Sequence, residues 1–121
     1  MTYVQGFVIP APTKNKDAYR DLAARAWAAF KKHGAVRQVE CWGDDVPEGK
    51  VTSFTMALKR KDDETAVFSW IERTSKAACE KGARAAMDEL SNLPGMSADN
   101  APFDGMRMFW GGFQPIFDES R

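Results

Sequence analysis

The chain is poor in the residues that usually reveal an activity or a compartment. Its 121 residues include one histidine and two cysteines, and its 17 basic side chains balance its 17 acidic ones. No apolar run approaches the roughly 18 residues that a membrane span requires, and the N-terminus lacks the apolar core of a signal peptide. A neutral chain also lacks the basic surplus typical of nucleic-acid binders. We therefore expect a cytoplasmic protein with neither a membrane nor a nucleic acid as partner.

The cysteines and the histidine form no recognisable reactive or metal-binding motif. The spacing of Cys41 and Cys79 fits neither a metal pair nor a redox CxxC sequence. We interpret both as small buried apolar side chains in a reducing compartment. His33 precedes Gly34 at the predicted end of a helix, where a cationic ring is stabilised by the helix dipole. We expect no cofactor and no metal.

The hydrophobic pattern predicts the order β-α-β-β-α-β within a single domain spanning residues 1–121. The predicted strands cover residues 3–10, 36–43, 65–72 and 106–113, and the predicted helices cover residues 15–33 and 74–90. Residues 52–60 fit either a short helix or a strand, and we favour the helix. Residues 91–104 form a long predicted loop in which Met96 and Phe103 are candidate lid side chains. The order of elements is the ferredoxin-like pattern of an α+β fold, with helices covering one face of an antiparallel sheet.

The last predicted strand, Met106–Phe113, is apolar on both faces apart from Arg107. The third predicted strand, residues 65–72, is also apolar on both faces. A strand with two apolar faces must be covered on both, and the helices cover only one. A second copy of the chain, packed sheet against sheet about a two-fold axis, is the simplest cover for the other face. The pattern therefore predicts a homodimer.

Glu40 and Arg107 are charged residues at positions predicted to lie within strands. A buried carboxylate must be paired with a cation or shift its pKa, and Arg107 is the natural partner for Glu40. The pair is interpreted either as a structural ion pair or as a pair that polarises a ligand in a cavity.

Aromatic residues are frequent in the predicted strands and include Trp42, Trp70 and Trp110. They are interpreted as core residues or as walls of a cleft between two sheets that holds a planar apolar ligand. Ser69 lies beside Trp70, but no G-x-S-x-G sequence surrounds it, so we do not expect it to be a nucleophile. The candidate ligand-binding residues are therefore Glu40, Trp42, Ser69, Trp70, Arg107 and Trp110.

Several runs of residues resemble a known family. They are the segments 44–47, 62–72, 103–108 and 111–113, which include Phe-Ser-Trp-Ile and Gly-Gly-Phe. Over nearly the whole chain the sequence resembles the YbaA-like family, a group of uncharacterised bacterial proteins of the dimeric α/β-barrel superfamily. The resemblance implies a ferredoxin-like protomer and a homodimer, and it implies no established reaction. The superfamily also includes cofactor-free quinol monooxygenases and haem-degrading, decarboxylating and chlorinating enzymes, among which the fold does not choose.

Two functional hypotheses stay open. In the first, the protein is a homodimeric module whose cleft between the sheets binds a small apolar or aromatic molecule. In the second, it is a cofactor-independent monooxygenase acting on a quinol-like aromatic substrate. Glu40 and Arg107 would position that substrate, and Trp70 and Trp110 would form the walls around it. A lidded apolar cavity with a few converging polar groups would favour the enzyme.

Overall fold

The computed structural model describes residues 2–93 and 101–121, and its elements follow the predicted order. The strands are β1 (Tyr3–Pro12), β2 (Arg37–Trp42), β3 (Glu64–Arg73) and β4 (Phe109–Phe113), and the helices are α1 (Lys16–Lys32), α2 (Phe54–Leu58) and α3 (Lys76–Leu90). The strands pair antiparallel in the order β2-β3-β1-β4. This is the split βαβ arrangement, so the prediction of an α+β, ferredoxin-like fold is confirmed.

The two long helices follow from their apolar stripes and their end residues. In α1 the buried side chains recur at three- and four-residue steps, at Tyr19, Leu22, Ala26 and Ala29. After α1 comes Gly34 with a φ of +100°, a conformation that favours glycine and ends the helix. The helix α3 begins at a cap in which the hydroxyl of Ser75 accepts a hydrogen bond from the amide of Ala78 at 3.0 Å. Within the described ranges, no helix is both long and apolar enough to span a bilayer.

The small residues of α3 let it approach the end of α1. A Cβ atom placed on Gly82 would stand 2.2 Å from the carbonyl oxygen of His33, so a larger residue there would force the two helices apart. At the same junction the ring Nε2 of His33 lies 3.3 Å from a carboxylate oxygen of Glu89. His33 therefore has a structural contact at a helix end, as its sequence context predicts.

The segment 52–60 contains a short helix, as favoured from the sequence. Ser53 caps α2 by accepting a hydrogen bond from the amide of Met56 at 3.0 Å, and the helix ends at Lys59, which has a φ of 51°. Phe54 of α2 packs edge to face on Phe68 of β3, with ring centroids 6.2 Å apart. The helix therefore touches the face of the sheet that α1 and α3 leave free.

The register of the sheet defines two faces. The inner face, which α1 and α3 cover, carries Phe7, Ile9 and Val67 and the side chains in phase with them, and the core cluster is built on it. The outer face carries the other set. Its larger apolar members include Val4, Val8, Val39, Phe68, Trp70, Phe109 and Phe113.

The strand β4 is shorter than predicted. It begins at Phe109, because residues 105–107 form a turn in which Asp104 accepts a hydrogen bond from the amide of Met106 at 2.9 Å. Arg107 therefore lies outside the strand, and the prediction that it occupies a mid-strand position is wrong. Of the predicted long loop, residues 94–100 with the candidate lid residue Met96 lie outside the described part of the chain.

Candidate ligand cavity

A cavity of about 330 Å³ lies between the inner face of the sheet and the helices α1 and α3. We call it the helix-side cavity. Its wall of helix and loop residues is largely apolar and includes Leu22, Ala26, Ala83, Met87, Leu90 and Phe103. Its floor is the sheet, and four polar side chains line it there, namely Gln5, Gln38, Glu40 and Ser69. The cavity thus has a largely apolar roof and, among apolar side chains of the sheet such as Phe7 and Ile71, a group of four polar side chains that we call the polar floor.

The strand register brings the four polar residues together. Glu40 of β2 is paired directly with Ser69 of β3. Gln38 and Gln5 flank the same residue of β3, Ile71, from opposite sides. Paired residues on one face of a sheet have Cβ atoms about 5 Å apart. The polar floor is therefore one cluster and not four isolated positions.

Glu40 is held by two hydrogen bonds from neutral donors. The hydroxyl of Tyr19 donates to Oε1 at 2.6 Å, and the Nε2 group of Gln38 donates to Oε2 at 2.9 Å. Burial raises the pKa of the Tyr19 hydroxyl, and the charge and hydrogen bond of Glu40 raise it further, so Tyr19 stays neutral and donates. Among residues 2–93 and 101–121, no lysine or arginine lies within ion-pair distance of Glu40.

The side-chain oxygen atoms of the two glutamines of the floor differ in whether they accept a hydrogen bond. Gln5 Oε1 accepts a hydrogen bond at 2.9 Å from Nη1 of Arg73, which is almost fully buried. The same Nη1 lies 3.4 Å from the sulfur of Cys79. Gln38 has the opposite situation, because its Oε1 is buried without a hydrogen-bond partner in the described part of the chain. One acceptor of the floor is thus satisfied and another is not.

The predicted pairing of Glu40 with Arg107 is wrong. Arg107 instead makes a two-pronged contact with Glu64, in which Nη1 lies 2.7 Å from Oε1 and Nη2 bonds to Oε2, and its Nε donates to Asp104 at 2.8 Å. These hydrogen bonds hold the pKa of the Glu64 and Asp104 carboxyls below their usual values. Because the turn at residues 105–107 moves Arg107 out of the sheet, it cannot reach the middle of β2.

The three tryptophans among the candidates do not share a cleft. Trp110 lines the helix-side cavity, whereas Trp42 packs on Tyr19 with ring centroids 6.1 Å apart. Trp70 lies on the outer face and donates from Nε1 to Glu72 at 2.9 Å. The prediction that Trp70 and Trp110 wall one cleft is therefore wrong, since they have opposite phase in the pleat. Of the six predicted residues, Glu40, Ser69 and Trp110 meet at the cavity.

The sequence analysis missed Tyr19, Gln5 and Gln38. Tyr19 lies in the apolar stripe of α1, and nothing in the sequence marks its hydroxyl as a separate signal. Gln5 interrupts a strand that is otherwise apolar on the same face, and Gln38 shares its face of β2 with Glu40. These two positions were the signal that was available. Phe103, a candidate lid side chain, lines the cavity and packs edge to face on Tyr19 at 5.9 Å.

The remaining reactive side chains stand apart from the cavity floor. Cys41 is half-buried and Cys79 is buried, and both are free thiols. Within residues 2–93 and 101–121, no group of three histidine, cysteine, aspartate or glutamate side chains could hold a metal ion. The chemistry that this cavity can offer therefore rests on Glu40, Tyr19, Ser69 and the two glutamine amides.

Comparison with known proteins supports the fold and assigns the family. The model of a family described as "Protein of unknown function (DUF1428)" matches residues 2–105. Uncharacterized protein YbaA of Escherichia coli K12 and the protein of the same name in Shigella flexneri are each 50% identical over 121 residues, covering 98% of this chain and 100% of theirs. A crystal structure of a dimeric ferredoxin-like protein from an uncultured marine organism superposes with a TM-score of 0.62 at 10% identity, covering 98% of this chain and all of that one. The chain belongs to the DUF1428 family, with E. coli YbaA as a full-length relative.

Proposed function

We propose that the protein binds one small, largely apolar or aromatic molecule in the helix-side cavity. The observation that supports this most directly is the polar floor formed by Gln5, Gln38, Glu40 and Ser69 under the helices. A core that served only for stability would be apolar there, because desolvated polar groups destabilise the fold unless they are hydrogen-bonded. An apolar cavity of about 300 Å³ or more with a few converging polar groups is the usual form of a small-molecule site.

Thermal denaturation in the presence of a panel of one- and two-ring aromatic compounds tests this proposal. A ligand present at about one hundred times its dissociation constant stabilises a fold by roughly 2.7 kcal/mol, which raises the melting temperature by several degrees in a chain of this size. Stabilisation by a subset of compounds of similar size and shape is the expected result. If no compound of the panel shifts the melting temperature or binds by calorimetry, the proposal is wrong.

The two tryptophans on opposite faces of the sheet provide a matched control for the position of the site. Trp110 lines the cavity, and Trp70 lies on the outer face. A ligand in the helix-side cavity should quench the fluorescence of Trp110, so the quenching should be lost in Trp110→Phe and retained in Trp70→Phe. The reverse result would place the ligand on the outer face.

We also propose that a second copy of the chain covers the outer face. Phe68, Phe109 and Phe113 are 47%, 43% and 60% exposed there, and a large contiguous apolar surface marks an interaction site. The superposable marine protein is described as dimeric, and a two-fold dimer pairs an apolar face with itself. Such an interface typically buries about 800 Å² per partner. Light scattering at micromolar concentration should give twice the mass of the chain, and a monomer mass would contradict the proposal.

Glu40 supports a second candidate function, the cofactor-independent oxygenation of a quinol-like substrate. A carboxylate inside an apolar cavity, held by Tyr19 and free of an ion-pair partner among the described residues, can accept the proton of a ring hydroxyl. The electron-rich ring would then react with O2, and a hydroquinone plus O2 gives a hydroxyquinone plus water, with all electrons supplied by the substrate.

Oxygen uptake by the purified protein with hydroquinones tests this second function. Removal of a general base typically lowers the rate by about 10²- to 10⁴-fold, so Glu40→Gln should lose activity to that extent. Glu80 is an exposed carboxylate on α3, and Glu80→Gln should retain full activity. Binding of hydroquinones without any oxygen uptake would leave the binding module as the function.

A further inference from the structure

Gln38 lines one corner of the helix-side cavity, and its side-chain amide is only partly hydrogen-bonded within the described part of the chain. Gln38 Oε1 is buried and has no partner within the described part of the chain. Its orientation is fixed, because the Nε2 group of the same amide donates to Glu40 at 2.9 Å. Rotating the amide by 180° would place its oxygen against the carboxylate and repel it. The unsatisfied atom is therefore the oxygen, and only a donor can satisfy it.

The neighbouring carboxylate adds further acceptor capacity at the same corner. Each oxygen of Glu40 accepts one hydrogen bond, from Tyr19 at 2.6 Å and from Gln38 at 2.9 Å. A carboxylate has about four lone-pair sites, so both oxygens can accept another bond. Tyr19 directs its one O–H at Glu40, and Gln38 directs one of its two Nε2 N–H donors there. One N–H therefore stands against the unsatisfied oxygen of Gln38 and the remaining lone pairs of Glu40, so acceptors outnumber donors at the β2 side of the cavity.

We infer that the ligand of this cavity carries a neutral hydroxyl, of the phenol or alcohol type, which donates to the acceptors of Gln38 and Glu40. The inference rests on the proposed function, since it names the chemical class that the same cavity takes. Elsewhere on the floor, the hydroxyl of Ser69 and the Nε2 group of Gln5 can donate, so a ligand acceptor is tolerated there. At the β2 side, a carbonyl, an ether or a carboxylate would leave the oxygen of Gln38 unpaired and would face the carboxylate of Glu40.

The charges around the cavity favour a neutral donor over a cationic one. A neighbouring hollow of about 540 Å³ along α1 and β2 shares Gln38 and Glu40 with the helix-side cavity, and the exposed Lys16, Arg20 and Arg37 line it. The exposed Arg84 lines the helix-side cavity itself. An ammonium group would approach Glu40 past these cations, and a hydroxyl meets no such repulsion.

Three matched two-ring probes test the inference on the purified full-length protein. Calorimetry would compare 2-naphthol, its methyl ether 2-methoxynaphthalene, and 2-naphthylmethylamine, which is cationic at neutral pH. We expect 2-naphthol to bind at least about tenfold more tightly than the ether, the discrimination typical of a buried acceptor left unpaired. Equal affinities for the hydroxyl compound and the ether would overturn the inference and leave the proposed function intact. Tighter binding of the amine would overturn the choice of a neutral donor. If neither these probes nor the aromatic panel binds, the proposed function itself fails.

Variants of the acceptor corner sharpen the result. In Gln38→Leu, the unsatisfied oxygen is removed, so the preference for 2-naphthol over its ether should fall at least threefold. Glu40→Gln replaces an acceptor with a group that can also donate, so the ether should gain affinity relative to wild type. Glu80→Gln, on the exposed surface of α3, should leave both affinities unchanged. A preference that survives intact in folded Gln38→Leu and Glu40→Gln would overturn the assignment of this corner. If either variant fails to fold, the comparison of probes on the wild-type protein still decides the question.

Discussion

The inner face of the sheet, beneath α1 and α3, carries Gln38, Glu40 and Ser69, whereas the outer face presents Phe68, Phe109 and Phe113 to the surface. An antiparallel sheet with helices on one side ordinarily has apolar side chains under the helices and polar ones facing water. Here each face carries residues that cost stability where they stand. The fold of one chain therefore does not by itself explain the side-chain composition of either face. On the inner face we propose a ligand, and on the outer face a second protomer.

The carboxylates on the two faces also differ in the partners that hold them. Glu64 shares the phase of Phe68, and its side chain is 5% exposed and paired with Arg107. Glu40, on the inner face, has only neutral hydrogen-bond donors around it within the described residues. A cation would hold the carboxylate of Glu40 as firmly as Arg107 holds that of Glu64, but it would occupy the space and the charge that a ligand uses. The contrast separates a structural carboxylate from one that is available for binding or proton transfer.

A charge placed on the outer face should have the largest effect, because it would weaken the proposed dimer. In Phe68→Asp, a two-fold dimer would bury the unpaired carboxylate twice, and each copy should cost about 2 kcal/mol of association free energy. The dissociation constant should therefore rise by roughly 1,000-fold, measured by light scattering or sedimentation across a dilution series. Ala28→Asp, on the exposed surface of α1, should leave the mass unchanged. If Phe68→Asp folds and associates like wild type, the outer face is not the interface.

The carboxylate on the outer face should show its dependence on Arg107 in the free energy of unfolding. Arg107→Ala strands the charge of Glu64, and breaking a buried pair from one side costs about 3 kcal/mol or somewhat more. The double variant Glu64→Gln/Arg107→Met removes both charges and should cost much less. Urea denaturation measures both values. A loss below about 0.5 kcal/mol in Arg107→Ala would mean that the pair behaves like a solvated surface contact.

Acidification should affect the same cluster in a defined direction. Hydrogen bonds from Arg107 lower the pKa of Glu64 from its ordinary 4.5 and that of Asp104 from 3.8. A carboxyl whose pKa is depressed in the folded state stabilises the fold above its ordinary pKa, and that stabilisation is lost as the pH falls through the folded value. Unfolding free energies measured from neutral pH downward should therefore fall below about pH 4.5. The decrease should be smaller in Glu64→Gln/Arg107→Met, and equal decreases would contradict the assignment of this cluster.

The fold was predictable because its signals are local. The apolar stripe of α1, the stop at Gly34 and the caps at Ser53 and Ser75 each lie within a few residues of the element that they define. Glu40 was also identifiable, since a carboxylate in the middle of a strand is unusual wherever that strand lies. Sequence periodicity therefore gave the elements, their order and the anomalous residue on the cavity floor.

The geometry of the site was less predictable because it depends on contacts between distant segments. Arg107 was assigned to Glu40 on the assumption that β4 begins at Met106, but hydrogen bonds from Asp104 make a turn there. Trp70 and Trp110 each alternate correctly within their own strands. Whether the two side chains share a face of the sheet depends on how β1 pairs with β3 and with β4. The sequence of one strand does not contain that information.

The substitution Gln38→Leu should have the smallest effect on the free energy of unfolding, and it tests whether the inner face serves stability or binding. Gln38→Leu replaces a buried oxygen that has no partner in the described part of the chain with an apolar group. Leaving a polar atom unsatisfied costs about 1–3 kcal/mol, but the same change removes the hydrogen bond from Gln38 to the carboxylate of Glu40, and a hydrogen bond to a charged group contributes about 1.5–3 kcal/mol. We therefore expect the two effects to nearly cancel, so that the free energy of unfolding of the ligand-free variant in urea lies within about 1 kcal/mol of wild type while 2-naphthol binds more weakly. Ser53→Ala, which removes the cap of α2, serves as a destabilised reference, since loss of a cap typically costs about 1 kcal/mol. Destabilisation by Gln38→Leu well beyond that of Ser53→Ala, with naphthol affinity unchanged, would mean that the polar floor supports the fold and that the inner face resembles an ordinary core.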